Sequence, residues 1–164
     1  MKKILIRKIE DKDLERAIEI INVASLPSWL EDHLSHETIK KLKRKTAPGH
    51  LKKRTEEGHF FVAVDEEKDL VVGIMGLRKD KDVMPNRIST FYIDPTYQKQ
   101  MIGRALFNAV FNKAKELQFK KLIVGSSRYA EPIYKHFGFN KVGIETKKYP
   151  DGSSHDIILM QMYI

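Results

Sequence analysis

The sequence predicts an α/β fold with a mixed, mostly antiparallel central sheet. Three observations lead there. Residues 59–65 (HFFVAVD) and 70–78 (LVVGIMGLR) are β-rich runs joined by the polar stretch EEKD, the pattern of a hairpin. Residues 140–149 and 154–164 are two more such runs, flanking the turn signal Pro150-Asp151-Gly152. Between them lies one strand–helix–strand unit, from NRISTFYID to KKLIVGSS. Hairpins around a single β-α-β unit give a mixed sheet rather than a doubly wound parallel one.

The remaining elements follow from period and punctuation. KILIRKI opens the chain as a strand. Asp11 then caps a helix whose apolar residues are Leu14, Ala17, Ile18, Ile21 and Ala24, and Pro27 ends it. A second helical region follows Ser35 (SHETIKKLKRKTA). Pro48-Gly49 interrupts it, and HLKKRTEEG adds a turn or two before Gly58. The long helix after the third inner strand carries Ile102, Leu106, Val110, Ala114 and Leu117 as its apolar stripe. A short helix, AEPIYKHF, ends at Gly138, a residue suited to a left-handed cap.

The chain has 164 residues and no cysteine, with 41% apolar and 32% charged residues. This predicts one globular domain, 1–164, with no disulfide, thiolate nucleophile or thiolate metal site. No apolar run is long enough for a membrane span, and the start is too polar for a secretory signal, so a cytoplasmic location and no membrane partner are expected. The net charge of +8 favours anionic partners, although solubility alone accounts for it equally well.

The stretch DPTYQKQMIGRAL, residues 94–106, runs from strand through turn into helix. The first N–H groups of a helix lack internal acceptors, and the helix dipole adds positive potential there. The amides of Lys99, Gln100, Met101, Ile102, Gly103 and Arg104 can therefore meet a diphosphate, with Lys99 and Arg104 adding side-chain charge. Taken alone the signal is weak. No Gly-Lys-Ser/Thr marks a Walker loop, and the spaced glycines of a dinucleotide fingerprint are missing.

FYIDPTYQKQMIGRAL resembles the acetyl-CoA signature of the GNAT superfamily of N-acetyltransferases, a strand and then Gln/Arg-x-x-Gly-x-Gly/Ala opening a helix. Ile93 and Pro95 match the strand end, Gln98 the first motif position and Gly103 the last. Met101 stands where the first glycine belongs. AEPIYKHFGF resembles the family's later segment, in which a tyrosine precedes Gly-Phe, and the element order fits along nearly the whole chain.

The resemblance implies a GNAT-like sheet with a splayed cleft between the fourth and fifth strands. It also implies acetyl-CoA as cosubstrate, without a metal. The pantetheine arm would pair with backbone groups of Phe91, Tyr92 and Ile93. The diphosphate would lie on the amides from Lys99 to Arg104, beside Gln98. Met101 is expected in a helical or near-helical conformation, so that its amide donates while its side chain points away.

Tyr134 matches the family's general acid, which protonates the departing thiolate. A thiol titrates near 8.5 and a phenol near 10, so the transfer is feasible. The competing reading is a packing tyrosine with its hydroxyl satisfied internally. By similarity Ser126 or Ser127 touches the cofactor arm or the acceptor, with Ser127 the candidate for the cofactor. Capping of the next helix explains these serines equally well. Tyr92, Tyr97 and Tyr129 read as packing or rim residues. No carboxylate lies on the two cleft strands, leaving ordered water or Glu31, Asp32 or His33 as the base. His33 and His36 alone do not make a metal site.

The expected activity is acetyl transfer from acetyl-CoA to a primary amine, small or peptidic, by direct attack on the thioester. A homodimer is allowed. The alternatives are a catalytically weak acyl-CoA-binding relative and a basic nucleic-acid-binding module. The second rests on the eight basic residues between Lys40 and Arg54. A solvated helix face explains those charges more simply, so nucleic acid is not the expected partner.

Overall fold

The computed structural model describes residues 2–44, 48–78 and 86–164. Its centre is a seven-stranded sheet. The strands are β1 (Ile4–Lys8), β2 (His59–Asp65), β3 (Leu70–Leu77), β4 (Arg87–Ile93), β5 (Lys121–Ser126), β6 (Asn140–Lys148) and β7 (Ser154–Tyr163). Their order is β1-β2-β3-β4-β5-β7-β6. Only β4 and β5 run parallel, joined by the helix α4 (Ile102–Glu116). The mixed, mostly antiparallel sheet predicted from the hairpins is the one observed.

Helices cover both faces. α4 and the short α5 (Glu131–His136) pack on one face, where Leu106, Phe107, Val110 and Ala114 meet Met75, Leu122 and Phe139. On the other face α1 (Leu14–Glu31) and α3 (Pro48–Glu57) bring Ala17, Ile20, Ile21 and Leu51 onto Phe60, Val62 and Ile74. The four predicted stripe positions Ile102, Leu106, Val110 and Ala114 are buried, and Leu117 lies past the helix end, partly exposed. α2 (His36–Arg44) follows Ser35, whose Oγ accepts the Thr38 N–H at 3.1 Å. Residues 45–47 of the predicted second helical region lie outside the described residues. Pro48 begins α3 rather than only breaking the chain, the position in which its missing N–H costs least.

Two expectations about α1 are corrected. Asp11 is not its cap. Asp11–Asp13 form a 3-10 turn, and Asp13 is the organising side chain. Its carboxylate accepts the Glu10 N–H at 2.8 Å and grips Arg7 of β1 with both oxygens, at 2.6 and 2.9 Å. Nor does Pro27 end the helix, which continues to Glu31. Proline forfeits only the bond its own N–H would make to Val23. The following turn is held by Asp32 N–H on Ser28 O (3.0 Å) and Leu34 N–H on Trp29 O (3.1 Å). The extra turn carries Trp29 and Asp32 to the cleft.

The turn between β6 and β7 is pinned to the start of α2. Asp151 accepts from Ser153 N–H (3.0 Å) and Oγ (2.6 Å), from Thr38 Oγ1 (2.7 Å) and from Ser35 Oγ. These bonds, led by Ser153, hold its carboxyl well below the usual range. A depressed folded value adds stability above the unfolded pKa, and that stability is lost as pH falls. Asp151→Ala is expected to lower the unfolding midpoint at pH 7. The gap to the wild type should shrink progressively below about pH 4, the unfolded carboxyl range. Melting curves across that range check both statements.

Candidate functional site

The cleft begins where β4 and β5 part. They pair only at Arg87–Ile123 and Ile88–Val124. On its other side β4 pairs with β3 through Leu77–Ile88 and Gly76–Thr90, which leaves Ser89 as an extra residue. A bulge of this kind bends and twists its strand. Beyond it β4 stays with β3 while β5 stays with β7. Asp94 N–H bonds Val72 O at 2.9 Å. By strand alternation the backbone groups of Tyr92 also face β3, while those of Phe91 and Ile93 face the open edge. The result is a cleft of about 690 Å³ with a free strand edge along one wall.

The next residues are tied down from both faces. Asp94 accepts from Thr96 N–H (2.8 Å) and Oγ1 (2.6 Å) and pairs with Arg16 of α1. Burial alone would raise the Asp94 pKa, but these partners outweigh it and lower it. Tyr97 is buried and donates to the Asp65 carboxylate of β2 at 2.7 Å. It is a packing residue, as expected.

Past this anchor the chain makes two left-handed residues, Lys99 (φ 59°) and Met101 (φ 62°). The expectation of a helical Met101 is therefore wrong. The left-handed region costs a residue with a Cβ about 1–2 kcal/mol, which explains why glycine is the motif's usual choice there. Successive N–H groups in such alternating turns converge into a concave anion-binding nest. Among the described residues, none of the amides from Lys99 to Arg104 donates to a protein group, and the first bond of α4 is Ala105 N–H to Met101 O at 3.1 Å. The Met101 side chain is 72% exposed, and the residue borders the cleft.

Of the residues singled out in this turn, Gln98, Lys99, Met101, Gly103 and Arg104 border the cleft, together with Phe91, Tyr92 and Ile93. The Gln100 and Ile102 side chains do not. Gln100 turns back onto Thr96 O (3.4 Å) and Ile102 is in the core, and neither residue borders the cleft. A Cβ on Gly103 would come within 3.1 Å of the Ile93 side-chain tip and 3.2 Å of the Phe91 ring, a tight fit that those side chains would have to relieve by a few tenths of an ångström. The Arg104 guanidinium lies over the Phe137 ring (5.0 Å) and reaches His136 Nε2 (3.1 Å), beside the free amides.

Tyr134 comes to the same cleft from α5. Its ring packs edge-on against Phe91 (6.0 Å) and Phe139 (5.5 Å), and the residue is 6% exposed. Among the described residues nothing hydrogen-bonds its hydroxyl. That hydroxyl is not sealed in the core but open to the cleft. Burial, with a contribution from Tyr92, pushes its pKa well above the ordinary phenol value. Ser126 donates to Ser127 O (2.8 Å), and Ser127 Oγ accepts the Ala130 N–H (3.1 Å), the capping role. Both line the cleft, and Ser127 still has a hydroxyl proton to donate.

The other end of the cleft is built from residues that sequence reasoning missed or undervalued. Arg87 lies so close over Gly125 that a Cβ there would meet its guanidinium at 2.9 Å. Trp29 and Asp32 from the end of α1 close one side, and His155, Asp156 and Ile157 of β7 the other. The Tyr149 hydroxyl lies 2.9 Å from His155 Nδ1. A signal for this last pair existed. The turn at 150–152 folds residues 147 and 155 opposite each other and so brings Tyr149 beside His155. Nothing local marked Arg87. Among the described residues no group of three His, Asp or Glu side chains could hold a metal, and His33 and His36 do not form one.

Comparison with known proteins agrees with this geometry. The family model described as an acetyltransferase (GNAT) domain matches residues 30–162. A Bacillus subtilis protein named for ribosomal protein bS18-alanine N-acetylation is 23% identical over 160 residues, covering 96% of this chain and 94% of its own. The GCN5-related N-acetyltransferase of Rhodopseudomonas palustris superposes with a TM-score of 0.83 at 18% identity, covering 100% of this chain and 98% of that one. The PaiA N-acetyltransferase of Thermoplasma acidophilum, solved in complex with coenzyme A, gives 0.76 at 17% identity, with 99% of each chain covered. With the signature turn, the parted strands and the family match along most of its length, the chain belongs to the GNAT family of acetyltransferases.

Proposed function

We propose that this enzyme moves an acetyl group from acetyl-CoA to a primary amine by direct attack on the thioester, with Tyr134 as the acid for the leaving thiolate. The observation that carries this reading is the meeting of three features in one cleft. These are the unbonded amides from Lys99 to Arg104, the free edge of β4 and the Tyr134 hydroxyl. The donor set fits the cosubstrate. Converging amides and the Arg104 guanidinium suit a diphosphate, and the open strand edge at Phe91 and Ile93 suits an arm carrying amide groups. Ser127 and Gln98 border the same path.

In the proposed reaction the free amine nitrogen attacks the thioester carbon. As that N–C bond forms, the carbonyl oxygen gains charge and is met by an edge-facing N–H of β4. Such a donor is worth roughly 3 kcal/mol in other enzymes. The C–S bond then breaks, and Tyr134 donates to the sulfur. A raised phenol pKa looks unfavourable for an acid. However, the burial that raises it also disfavours a bare thiolate in the same cleft, so the gap between the two is not widened by the same amount.

The acceptor end bears the carboxylate of Asp32, which suits an ammonium group, while Asp156 is already paired with Arg128. The Bacillus subtilis relative is named for an alanine amine of a ribosomal protein, which puts peptide N-termini first among acceptors to screen. The nucleic-acid alternative has weaker support. Lys41, Lys52 and Lys53 pair with Glu37, Asp11 and Glu57 on the surface, as solvated helix faces do.

Acetyl-CoA at about 100 times its Kd should stabilise the protein by about 2.7 kcal/mol, seen as a raised melting temperature. A chain that no CoA ester stabilises would defeat the proposal. Tyr134→Phe should lower kcat about 100-fold with little change in melting temperature or in the KM for acetyl-CoA. Steady-state thiol release with an alanine-initiated peptide measures it. Met101→Gly should leave that KM within about threefold, since the exposed side chain makes no needed contact. Met101→Pro, whose ring forbids a positive φ, should raise it sharply.

A further inference from the structure

The two strands of the cleft carry no carboxylate base, yet the amine must lose a proton before it can attack. The acceptor end offers a different group. His155 is half-buried on β7 and lines the cleft beside Asp32 and Ile157. One ring nitrogen, Nδ1, is held 2.9 Å from the Tyr149 hydroxyl, and the two rings lie 5.5 Å apart. Among the described residues the other nitrogen, Nε2, has no partner. The pair is rigid because both residues belong to one hairpin, whose turn is fixed by Asp151 to the start of α2.

We propose that His155 is the general base of the acetyl transfer and that Tyr149 positions it. This rests on the acetyl-transfer reading of the cleft. The proposal requires one tautomer: Nδ1–H donates to the Tyr149 oxygen, which leaves the lone pair on Nε2. Nε2 takes one proton from the acceptor ammonium, and the neutral amine forms the N–C bond as C–S breaks. The nitrogen loses a second proton as the amide forms. One of the two ends on the coenzyme A sulfur through Tyr134, and the other leaves through His155 to water. Once protonated, the imidazolium keeps its Nδ1–H bond to Tyr149.

The charged groups around the ring favour this use. Burial is the largest influence on His155 and lowers its pKa, Lys147 across the hairpin lowers it further, and Asp32 and Asp156 oppose them without prevailing. The ring is thus neutral, and able to accept, at neutral pH. Tyr149 has its own pKa raised, first by burial and then by Asp32 and Asp151, so it stays a neutral phenol. Asp32 is the nearest competitor. Burial raises its pKa, Glu31 adds to that, and His155 and Arg128 act against it. Its part here is to hold the incoming ammonium by charge.

Two measurements on the full chain test this. Nitrogen NMR of the His155 ring should show the Nδ1–H tautomer at pH 7 and a titration below the ordinary value of about 6.5. A ring protonated at pH 7, or one carrying its proton on Nε2, overturns the proposal. Rates with acetyl-CoA and an alanine-initiated peptide give the second. His155→Ala should lose about 100-fold in kcat/KM, lose the acid limb of its pH profile, and regain rate with added imidazole. Tyr149→Phe should keep the acid limb, displaced, with a smaller loss. Asp32→Asn should raise the peptide KM and keep the limb. The idea fails if His155→Ala keeps the limb, or if Asp32→Asn abolishes it. All variants should retain the wild-type melting shift with acetyl-CoA. Loss of that shift in the wild type itself would instead condemn the acetyl-transfer reading.

Discussion

The functional architecture depends on the separation of β4 from β5. A parallel pair that continued would satisfy its own backbone groups and leave no room for anything else. Here the ladder stops after two residue pairs, at the bulge on Ser89. Backbone groups that face an edge must find a partner in water, ligand or protein. The open groups of Phe91 and Ile93 are therefore a cost to the free protein and, in the proposed function, a binding edge. β7 then lies beside β5 and ahead of β6 in the sheet, so the second wall is held firmly by its own antiparallel ladder.

Strain in the adjoining turn is held in the same way. Left-handed Lys99 and Met101 persist because the residues just before them are fixed at two points, Asp94 to Arg16 and Tyr97 to Asp65. The partners come from α1 on one face and from β2 in the sheet. Met101 shows that glycine is a preference at this position rather than a requirement. The backbone takes the glycine-like conformation and the side chain goes to solvent. At Gly103 an added Cβ would press on the Phe91 ring and the tip of Ile93, which would have to shift slightly.

Much of the fold was legible because its signals are local. The hairpins, the stripe of α4, the cap at Gly138 and the position of Tyr134 each follow from a few neighbouring residues. The failures have a common physical origin. Met101 obeys tertiary anchors rather than its own conformational preference. Pro27 lies within a helix because bonds beyond it keep the last turn. Asp13 displaced Asp11 as the organiser of α1 because Arg7 of β1 reaches it. The half of the cleft proposed for the cofactor comes mostly from the segment 91–104, so its turn could be singled out in the sequence. The acceptor half draws Arg87, Trp29, Asp32, Tyr149 and His155 from separate elements, which only the sheet order brings together.

The central claim is that the nest from Lys99 to Arg104 and the β4 edge hold coenzyme A together. Backbone amide NMR during a titration with coenzyme A addresses it residue by residue. The amides from Lys99 to Arg104 should shift with those of Phe91 and Ile93, along one saturating curve, and dephosphorylated pantetheine should move only the β4 set. Shifts confined to the basic helices α2 and α3, with the 99–104 amides unmoved, would contradict it.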